Sequence, residues 1–145
     1  MKYEEFQAHE EVVFDYLLKK YKWHICTTPR YAMVDGFATM NNEVTHIIEF
    51  KSRNESHRSL MNYGTYLISY DKIAAGMMIS EHMDVPFILI VYCVRDKTIL
   101  GIEIGNPEGV SAPMIIKETY TQQTSDGGRV KRRNAFIDMD NFHIL

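Results

Sequence analysis

Asp35, Glu49 and Lys51 are the residues of this sequence whose types and spacing could do metal-assisted chemistry. Glu49 and Lys51 are separated by Phe50 in a strand-like segment, and Asp35 lies in an earlier one. Because side chains alternate along a strand, Glu49 and Lys51 share one face while Phe50 points to the other. A charged pair therefore interrupts an otherwise apolar strand.

The turn between the two segments predicts which residues face each other. With Asn41-Asn42-Glu43 as the loop and Met40 opposite Val44, hairpin partners have numbers that add up to 84. Asp35 then lies opposite Glu49. The same register gives one largely apolar face, with His46 as its exception, and one face that carries Asp35, Glu49 and Lys51.

Two carboxylates that face each other in a sheet repel, so the pair calls for a compensating cation. Oxygen ligands from Asp35 and Glu49, with a strand carbonyl such as that of Phe50 and with waters, suit Mg²⁺ or Mn²⁺ better than zinc. Lys51 could then orient or deprotonate an attacking water. An edge-strand salt bridge between Lys51 and the carboxylates is the competing interpretation.

Glu10 is a third candidate ligand. In the helix that the spacing of Phe6, Val13 and Leu17 predicts, Glu10 falls inside the apolar stripe when residues advance by about 100° each. A carboxylate that faces a core is costly unless it is paired, protonated or bound to metal. The alternative is that Glu10 lies at the margin of the apolar stripe and hydrogen-bonds to a tyrosine or a lysine.

The elements that must position these residues follow from hydrophobic periodicity and turn signals. They predict an α/β fold of α-β-β-α-β-β order, with a mixed sheet flanked by helices. Gly64 and Gly76 are expected at close packing within the second helix. The predicted elements are a helix over 3–21, strands over 31–39 and 44–51, a long helix over 59–83, strands over 86–94 and 98–104, a loop over 105–111, a strand over 114–120, a polar stretch over 122–128 and a mixed tail over 135–145.

A helical Glu10, then Val34-Asp35-Gly36, then Glu49-Phe50-Lys51 and a further helix and strand resembles the PD-(D/E)XK nuclease superfamily, which has a restriction-endonuclease-like fold. The Ser52-Arg53 continuation is similar to archaeal-type Holliday junction resolvases and to small phage-encoded nucleases. The resemblance implies a magnesium-dependent phosphodiesterase in which Asp35 and Glu49, with Glu10, hold metal and Lys51 assists water. Val34 stands where the family name has proline.

Contacts to nucleic acid must come from local charge, because Lys+Arg 16 against Asp+Glu 19 gives a net charge of −3. Basic residues cluster after Glu49 and again near the end of the chain. A solvated surface is the competing interpretation of both clusters, and it explains the run over 129–133 equally well. Lys72 lies within an apolar segment and either reaches the site or snorkels from the helix edge. The candidate phosphate contacts are Arg53, Arg58, Lys72, Arg129, Lys131, Arg132 and Arg133.

Length and composition set the remaining limits. A chain of 145 residues with 46% hydrophobic residues is expected to form a single nuclease-like domain over 1–145. Its longest apolar run, 87–94, is too short to cross a bilayer, and its N-terminus has no secretory signal. We expect a cytoplasmic protein, in the host cytoplasm if it is phage-encoded. Cys26 and Cys93 indicate no zinc site, and the absence of a Gly-rich phosphate loop indicates no nucleotide cofactor.

Together with the residues, the resemblance implies a Mg²⁺-dependent endonuclease that hydrolyses phosphodiester bonds in DNA, and the likeness to junction resolvases adds branched or junction DNA as a candidate substrate. Since cutting both strands usually needs two active sites, we expect a homodimer. Two alternatives stay open. One is a non-catalytic domain of the same fold that binds nucleic acid or a protein. The other is an RNA-directed nuclease, because the strand motif does not read the sugar.

Overall fold

The computed structural model describes residues 2–29, 31–122 and 128–145 of the chain. Within these ranges the fold is α/β, with a mixed sheet, a second antiparallel sheet and three α-helices, as the periodicity predicted in outline. The elements are α1 Tyr3–Tyr21, β1 His24–Thr27, β2 Gly36–Met40, β3 Glu43–Arg53, α2 His57–Tyr63, β4 Thr65–Ser69, α3 Tyr70–Met83, β5 Phe87–Cys93, β6 Thr98–Asn106, β7 Gly109–Val110, β8 Met114–Gln122, β9 Arg129–Asp138, a 3₁₀ helix Met139–Asn141 and β10 His143–Ile144.

The main sheet has the order β1-β2-β3-β5-β6-β10, with β7 paired to β6. At its centre β3 and β5 run parallel, while β1–β2, β2–β3, β5–β6 and β6–β10 are antiparallel. The parallel pair needs a crossover, and α2, β4 and α3 supply it. All seven residues of β5 are buried, as expected for a strand that is covered on both faces.

The two faces of the main sheet pack against different layers. On one face, Val13 and Leu17 of α1 cover Ile48, Phe50 and neighbouring residues of the central strands. On the other, a second cluster joins the sheet to α3 and to the second sheet; it includes Ile47, Ile73, Leu89, Val91 and Ile137. Even-numbered residues of β3 from 46 to 52 therefore point to α1, and odd-numbered ones from 47 to 53 point to α3.

The second sheet, in the order β4-β9-β8, is where the prediction of one long helix over 59–83 is wrong. Helix α2 ends at Gly64, whose φ of 83° is a left-handed conformation that glycine adopts at little cost. Residues 65–69 then form β4, in which Tyr66 and Ile68 face the core while Leu67 is exposed. This alternation of buried and exposed residues is typical of a strand, and β9 supplies the hydrogen-bond partners of its backbone.

The two glycines of that segment therefore have different roles. Gly64 is a turn residue, and a Cβ added there would meet nothing within 4 Å, so close packing at Gly64 was a wrong expectation. At Gly76, a Cβ would come within 2.3 Å of the Phe87 ring. Close packing of α3 on β5 at Gly76 is confirmed.

The hairpin differs from its prediction in three ways. Residues 31–35 are not a strand, because β2 begins only at Gly36, and β1 was not predicted. The turn is the two-residue Asn41-Asn42, with both φ angles positive, so Met40 faces Glu43 rather than Val44. A bulge between Ala38 and Thr39 then offsets the pairing by one residue. The predicted order α-β-β-α-β-β also lacks two strands of the structure, β1 and β4.

The C-terminal part is more regular than predicted. The expected loop over 105–111 contains the end of β6 and the short β7, and the basic run lies in β9, which continues into the expected mixed tail. Most of the predicted polar stretch over 122–128 lies outside the described residues. No helix in the described ranges is long and apolar enough to span a membrane.

Candidate active site at the start of the β2–β3 hairpin

Asp35 is held against β3 by two hydrogen bonds. Its backbone N–H donates to the carbonyl oxygen of Ile48 at 3.1 Å, and its side-chain Oδ2 accepts from the backbone N–H of Phe50 at 2.8 Å. The neighbouring pairs Gly36↔Ile48 and Phe37↔Ile47 keep the predicted sum of 84, because the bulge compensates for the shorter turn. The predicted register is thus confirmed in this part of the hairpin, and Asp35 lies beside Glu49 just before β2 begins.

Glu49 is a carboxylate buried in the sheet, with 1% of its surface exposed. Lys51 Nζ lies 3.2 Å from Glu49 Oε1, and Lys72 Nζ of α3 lies 3.7 Å from the same oxygen. Neither contact meets hydrogen-bond geometry, and Oε1 has no other hydrogen-bond partner among the described residues. Two ammonium groups therefore surround one buried oxygen without satisfying it.

The charge state of Glu49 reflects opposing influences. Burial raises the pKa of its carboxyl, and the negative charge of Asp35 raises it further. The ammonium groups of Lys51 and Lys72 act in the opposite direction. Since the pKa stays above its usual value, the two lysines do not fully offset burial and repulsion, and the site favours additional positive charge.

Glu10 approaches from α1, on the opposite side of the sheet from α3. Its side chain is half-buried, and burial, followed by the charge of Asp35, raises the pKa of Glu10 to about 7. Asp35 is thus the common neighbour of Glu10 and Glu49. The predicted position of Glu10 inside the apolar stripe of α1 agrees with this partial burial.

The predicted phosphate contacts separate into two groups. Arg53, Lys72 and Arg132 line one cavity beside Glu49, together with the candidate catalytic residue Lys51. The others lie elsewhere: Arg58 and Arg129 are exposed, Lys131 Nζ pairs with Glu118 Oε2 at 3.1 Å, and the Arg133 guanidinium lies 4.7 Å from the centre of the Tyr70 ring. Alternation along β9 separates Arg132 from its basic neighbours.

Residues 2–142 match the model of a family described as "Phage putative PDDEXK endonuclease". The chain belongs to this PDDEXK family. The matched range includes all three α-helices, strands β1 to β9 and every residue of the candidate site, and ends just before β10. Among curated proteins, none matches the chain.

Nucleases of the PD-(D/E)XK type generally use divalent metal ions, and the donor set of this family member fits such an ion. Asp35, Glu49 and the Phe50 carbonyl offer hard oxygen ligands, and the incompletely satisfied Glu49 Oε1 is an acceptor for a cation. Within the described ranges, no group of three or more His, Cys, Asp or Glu side chains is close enough to hold a metal. Glu10 therefore does not complete a three-carboxylate cage in this conformation.

Two features of this PDDEXK site were not predicted. His9 Nδ1 lies 2.7 Å from the hydroxyl oxygen of Ser52, which ties α1 to β3 one residue from Glu10. The second sheet brings Arg132 and Asn134 to the cavity beside Lys51. The sequence of β9 shows no regular alternation of polar and apolar residues, and its pairing with β4 is too distant in sequence to infer from local pattern.

Proposed function

We propose that this chain is a metal-dependent endonuclease that hydrolyses phosphodiester bonds in DNA. The observation that carries the proposal is the juxtaposition of Asp35 and buried Glu49, with Lys51 Nζ 3.2 Å from Glu49 Oε1. Membership of a phage PDDEXK endonuclease family supports nuclease chemistry. The acidic pair, the lysine and the cationic cavity supply a metal site and a phosphate site side by side.

In this proposal Asp35, Glu49 and the Phe50 carbonyl would hold Mg²⁺ or Mn²⁺. Glu10, which neighbours Asp35 from α1 but does not converge with Glu49 in this conformation, would be a further ligand. When bound, it supplies positive charge for the phosphate and acidifies water. Burial of Glu49 keeps competing water away from its carboxylate. The hydrogen bond from Phe50 N–H fixes the rotamer of Asp35, so the two carboxylates are positioned before substrate arrives.

Lys51 acts on the attacking water in this mechanism. Its Nζ orients the water or accepts its proton, and the ammonium form offsets the negative charge that develops on the phosphate oxygens. The water oxygen forms a bond to phosphorus while the bond from phosphorus to the sugar oxygen breaks, and the departing sugar oxygen takes a proton from solvent water to become a hydroxyl. Lys72 contacts the same carboxylate oxygen as Lys51 and therefore holds Glu49 in place from the α3 side.

DNA contacts extend from this site in the proposal. Arg53, Lys72 and Arg132 contact phosphates near the cleaved bond, and the remaining basic side chains Arg58, Arg129, Lys131 and Arg133 contact more distant ones. The proposed substrates include branched DNA. The 145 residues act as one domain, two copies form a homodimer so that both strands are cut, and the protein works in the cytoplasm of the host.

The test is cleavage of plasmid, linear and branched DNA by the wild type, Glu49→Ala and Lys51→Ala, with Mg²⁺, Mn²⁺ or chelator. Lys19→Ala is the matched charge control, because Lys19 pairs with Asp15 on the exposed surface of α1. The wild type and Lys19→Ala should cleave only with metal, and Glu49→Ala and Lys51→Ala should lose about 10²-fold or more of the rate. Equal rates in all four proteins would reject the mechanism.

Further measurements separate the alternatives. RNA of the same sequence, assayed in parallel, distinguishes a DNA nuclease from an RNA-directed one. Calorimetry with Mg²⁺ and Mn²⁺ tests the non-catalytic alternative, which predicts no metal binding together with tight DNA binding in chelator. Light scattering after size-exclusion chromatography, with and without DNA, measures the number of copies in the complex.

A further inference from the structure

A cavity of about 480 Å³ opens beside the candidate active site, between β3, α3 and the second sheet. Four of its lining side chains are cationic, and they come from three elements: Lys51 and Arg53 from β3, Lys72 from α3 and Arg132 from β9. Asp71 adds one carboxylate. The lining is therefore strongly cationic although the whole chain has a net charge of −3.

The same cavity has an apolar part. Met33 and Leu67 line it and are 50% and 39% exposed, and Ala75 of α3 lies beside them. Exposed apolar side chains next to several cations suit a ligand with one anionic and one flat apolar portion. A nucleotide has this composition, since the phosphate is anionic and both faces of the base are apolar.

Contacts behind the cavity hold its walls in place. The Arg53 guanidinium lies 5.2 Å from the Tyr66 ring centre and donates to the Ser52 carbonyl oxygen at 3.1 Å. On β9, Asn134 is 1% exposed and its amide donates to the Thr119 hydroxyl at 2.6 Å. Asn134 and Arg132 share one strand face. The phosphate-binding side chains thus stand on ordered strands.

We infer that this cavity holds one unpaired nucleotide of the substrate strand, with its phosphate against Arg53, Lys72 and Arg132 and its base against Met33 and Leu67. The cavity is open to solvent, and its volume of about 480 Å³ is enough for one nucleotide. Inside a duplex the faces of a base are stacked on its neighbours, so a base contacts Met33 and Leu67 only when it is unstacked. The second sheet closes the side opposite β3. This inference rests on the proposed nuclease function and adds a substrate class to it.

The consequence is a preference for DNA that is single-stranded where the cavity takes its nucleotide. A duplex must first unstack and unpair that nucleotide, whereas a gap, flap or single strand presents it directly. Binding to the cavity should also be partly electrostatic and partly apolar. Those two contributions respond differently to salt, because only ionic contacts release counterions.

The experiment measures binding in chelator, so that it does not depend on cleavage. Fluorescence anisotropy compares a labelled single-stranded oligodeoxynucleotide with a duplex of the same sequence and with a gapped duplex, over a range of salt concentrations. The proteins are the wild type, Arg132→Ala, Ala75→Leu and the charge control Lys19→Ala. Ala75→Leu fills the cavity without changing charge, and thermal unfolding verifies that each variant folds.

We expect the wild type and Lys19→Ala to bind single-stranded and gapped DNA about ten-fold more tightly than duplex. Arg132→Ala should lose about five- to ten-fold in single-strand affinity and lower the salt slope by about 0.7. Ala75→Leu should lose affinity with an unchanged slope. Equal affinity for all three DNAs, or variants that bind like the wild type, would overturn the inference. Selective binding without metal-dependent cleavage would reject the proposed function and leave the nucleotide site standing.

Discussion

Lys72 on α3 places its Nζ 3.7 Å from Oε1 of Glu49 on β3, the same oxygen that Lys51 contacts at 3.2 Å. The two lysines approach from different elements, one in the motif and one from the crossover helix. Both ammonium groups would compete with the proposed divalent ion for this carboxylate. Their roles should nevertheless differ, because Lys51 follows directly after the residue whose carbonyl is proposed to bind the ion.

Removal of Lys72 should separate metal affinity from turnover. In Lys72→Ala, Glu49 loses one competing cation, so half-saturation should occur at a lower Mg²⁺ concentration, while the maximal rate falls about ten-fold because Glu49 is less well positioned. Lys51→Ala should lose at least about 10²-fold in maximal rate. Cleavage rates measured over a Mg²⁺ titration test this, with Lys72→Arg as the charge-retaining control. Indistinguishable titrations for Lys72→Ala and the wild type would show that Lys72 has no influence on the site.

Neutralising Glu49 should stabilise the metal-free protein. Its carboxyl pKa is raised by burial and by Asp35, so ionisation of Glu49 costs stability as the pH rises above the unfolded value near 4.5. Glu49→Gln should therefore unfold about 2–4 °C higher than the wild type at pH 7 in chelator, equivalent to about 1 kcal/mol. If the proposed site binds Mg²⁺, the ion should raise the unfolding temperature of the wild type, and Glu49→Gln should lose that increase.

Thermal unfolding with and without Mg²⁺ measures both effects. Glu108→Gln is the matched control, because it removes a carboxylate from an exposed turn outside the site. It should keep the wild-type response to metal. A Glu49→Gln variant that melts lower in chelator and is still stabilised by Mg²⁺ would contradict the assigned role of Glu49.

The sequence was sufficient for the features that local patterning determines. Helix α1 is predicted to the residue, and the faces of β3 follow from simple alternation, including His46 as the polar exception on the α1 side. The register beside Asp35 was also predicted, although the turn and the bulge were not. The shorter turn shifts the pairing of β2 and β3 by one residue, and the bulge shifts it back by one. The predicted pairing beside Asp35 therefore survives, because the apolar faces of β2 and β3 constrain it more strongly than the loop does.

The second sheet could not be predicted from local signals. Residues 65–69 follow α2 directly and are rich in apolar side chains, so they extend a helical pattern on hydrophobicity alone. The hydrogen bonds that make them a strand come from β9, with Thr65 opposite Asp138. That long-range pairing also brings Arg132 to the cavity. The basic run marked Arg132 as a candidate phosphate contact, but its position opposite β3 had no signal in the local sequence.

Packing of α3 against β5 at Gly76 should be sensitive to a single methyl group. A Cβ at Gly76 would lie 2.3 Å from the Phe87 ring, so Gly76→Ala should destabilise the fold by about 1–3 kcal/mol despite the better helix propensity of alanine. Phe87→Leu removes the obstructing ring edge. The double variant should therefore be more stable than the sum of the single changes predicts, by at least about 0.5 kcal/mol. Urea denaturation of all four proteins measures this coupling, and strictly additive values would place the methyl group in free space.

His46, which lies on the α1 side of the main sheet, should make the stability of the protein depend on pH. Its ring lies 4.7 Å from that of Trp23, and burial lowers its pKa more than the charge of Glu103 raises it. The native state therefore favours the neutral ring: this stability is present above the unfolded value near 6.5 and is lost as the pH falls through the lower folded value. As the pH falls through that range, the free energy of unfolding of the wild type should decrease by up to about 1.4 kcal/mol per pH unit more than that of His46→Gln. Urea denaturation from about pH 8 to about pH 5 measures the difference, and parallel curves for the two proteins would mean that protonation of His46 is not linked to folding.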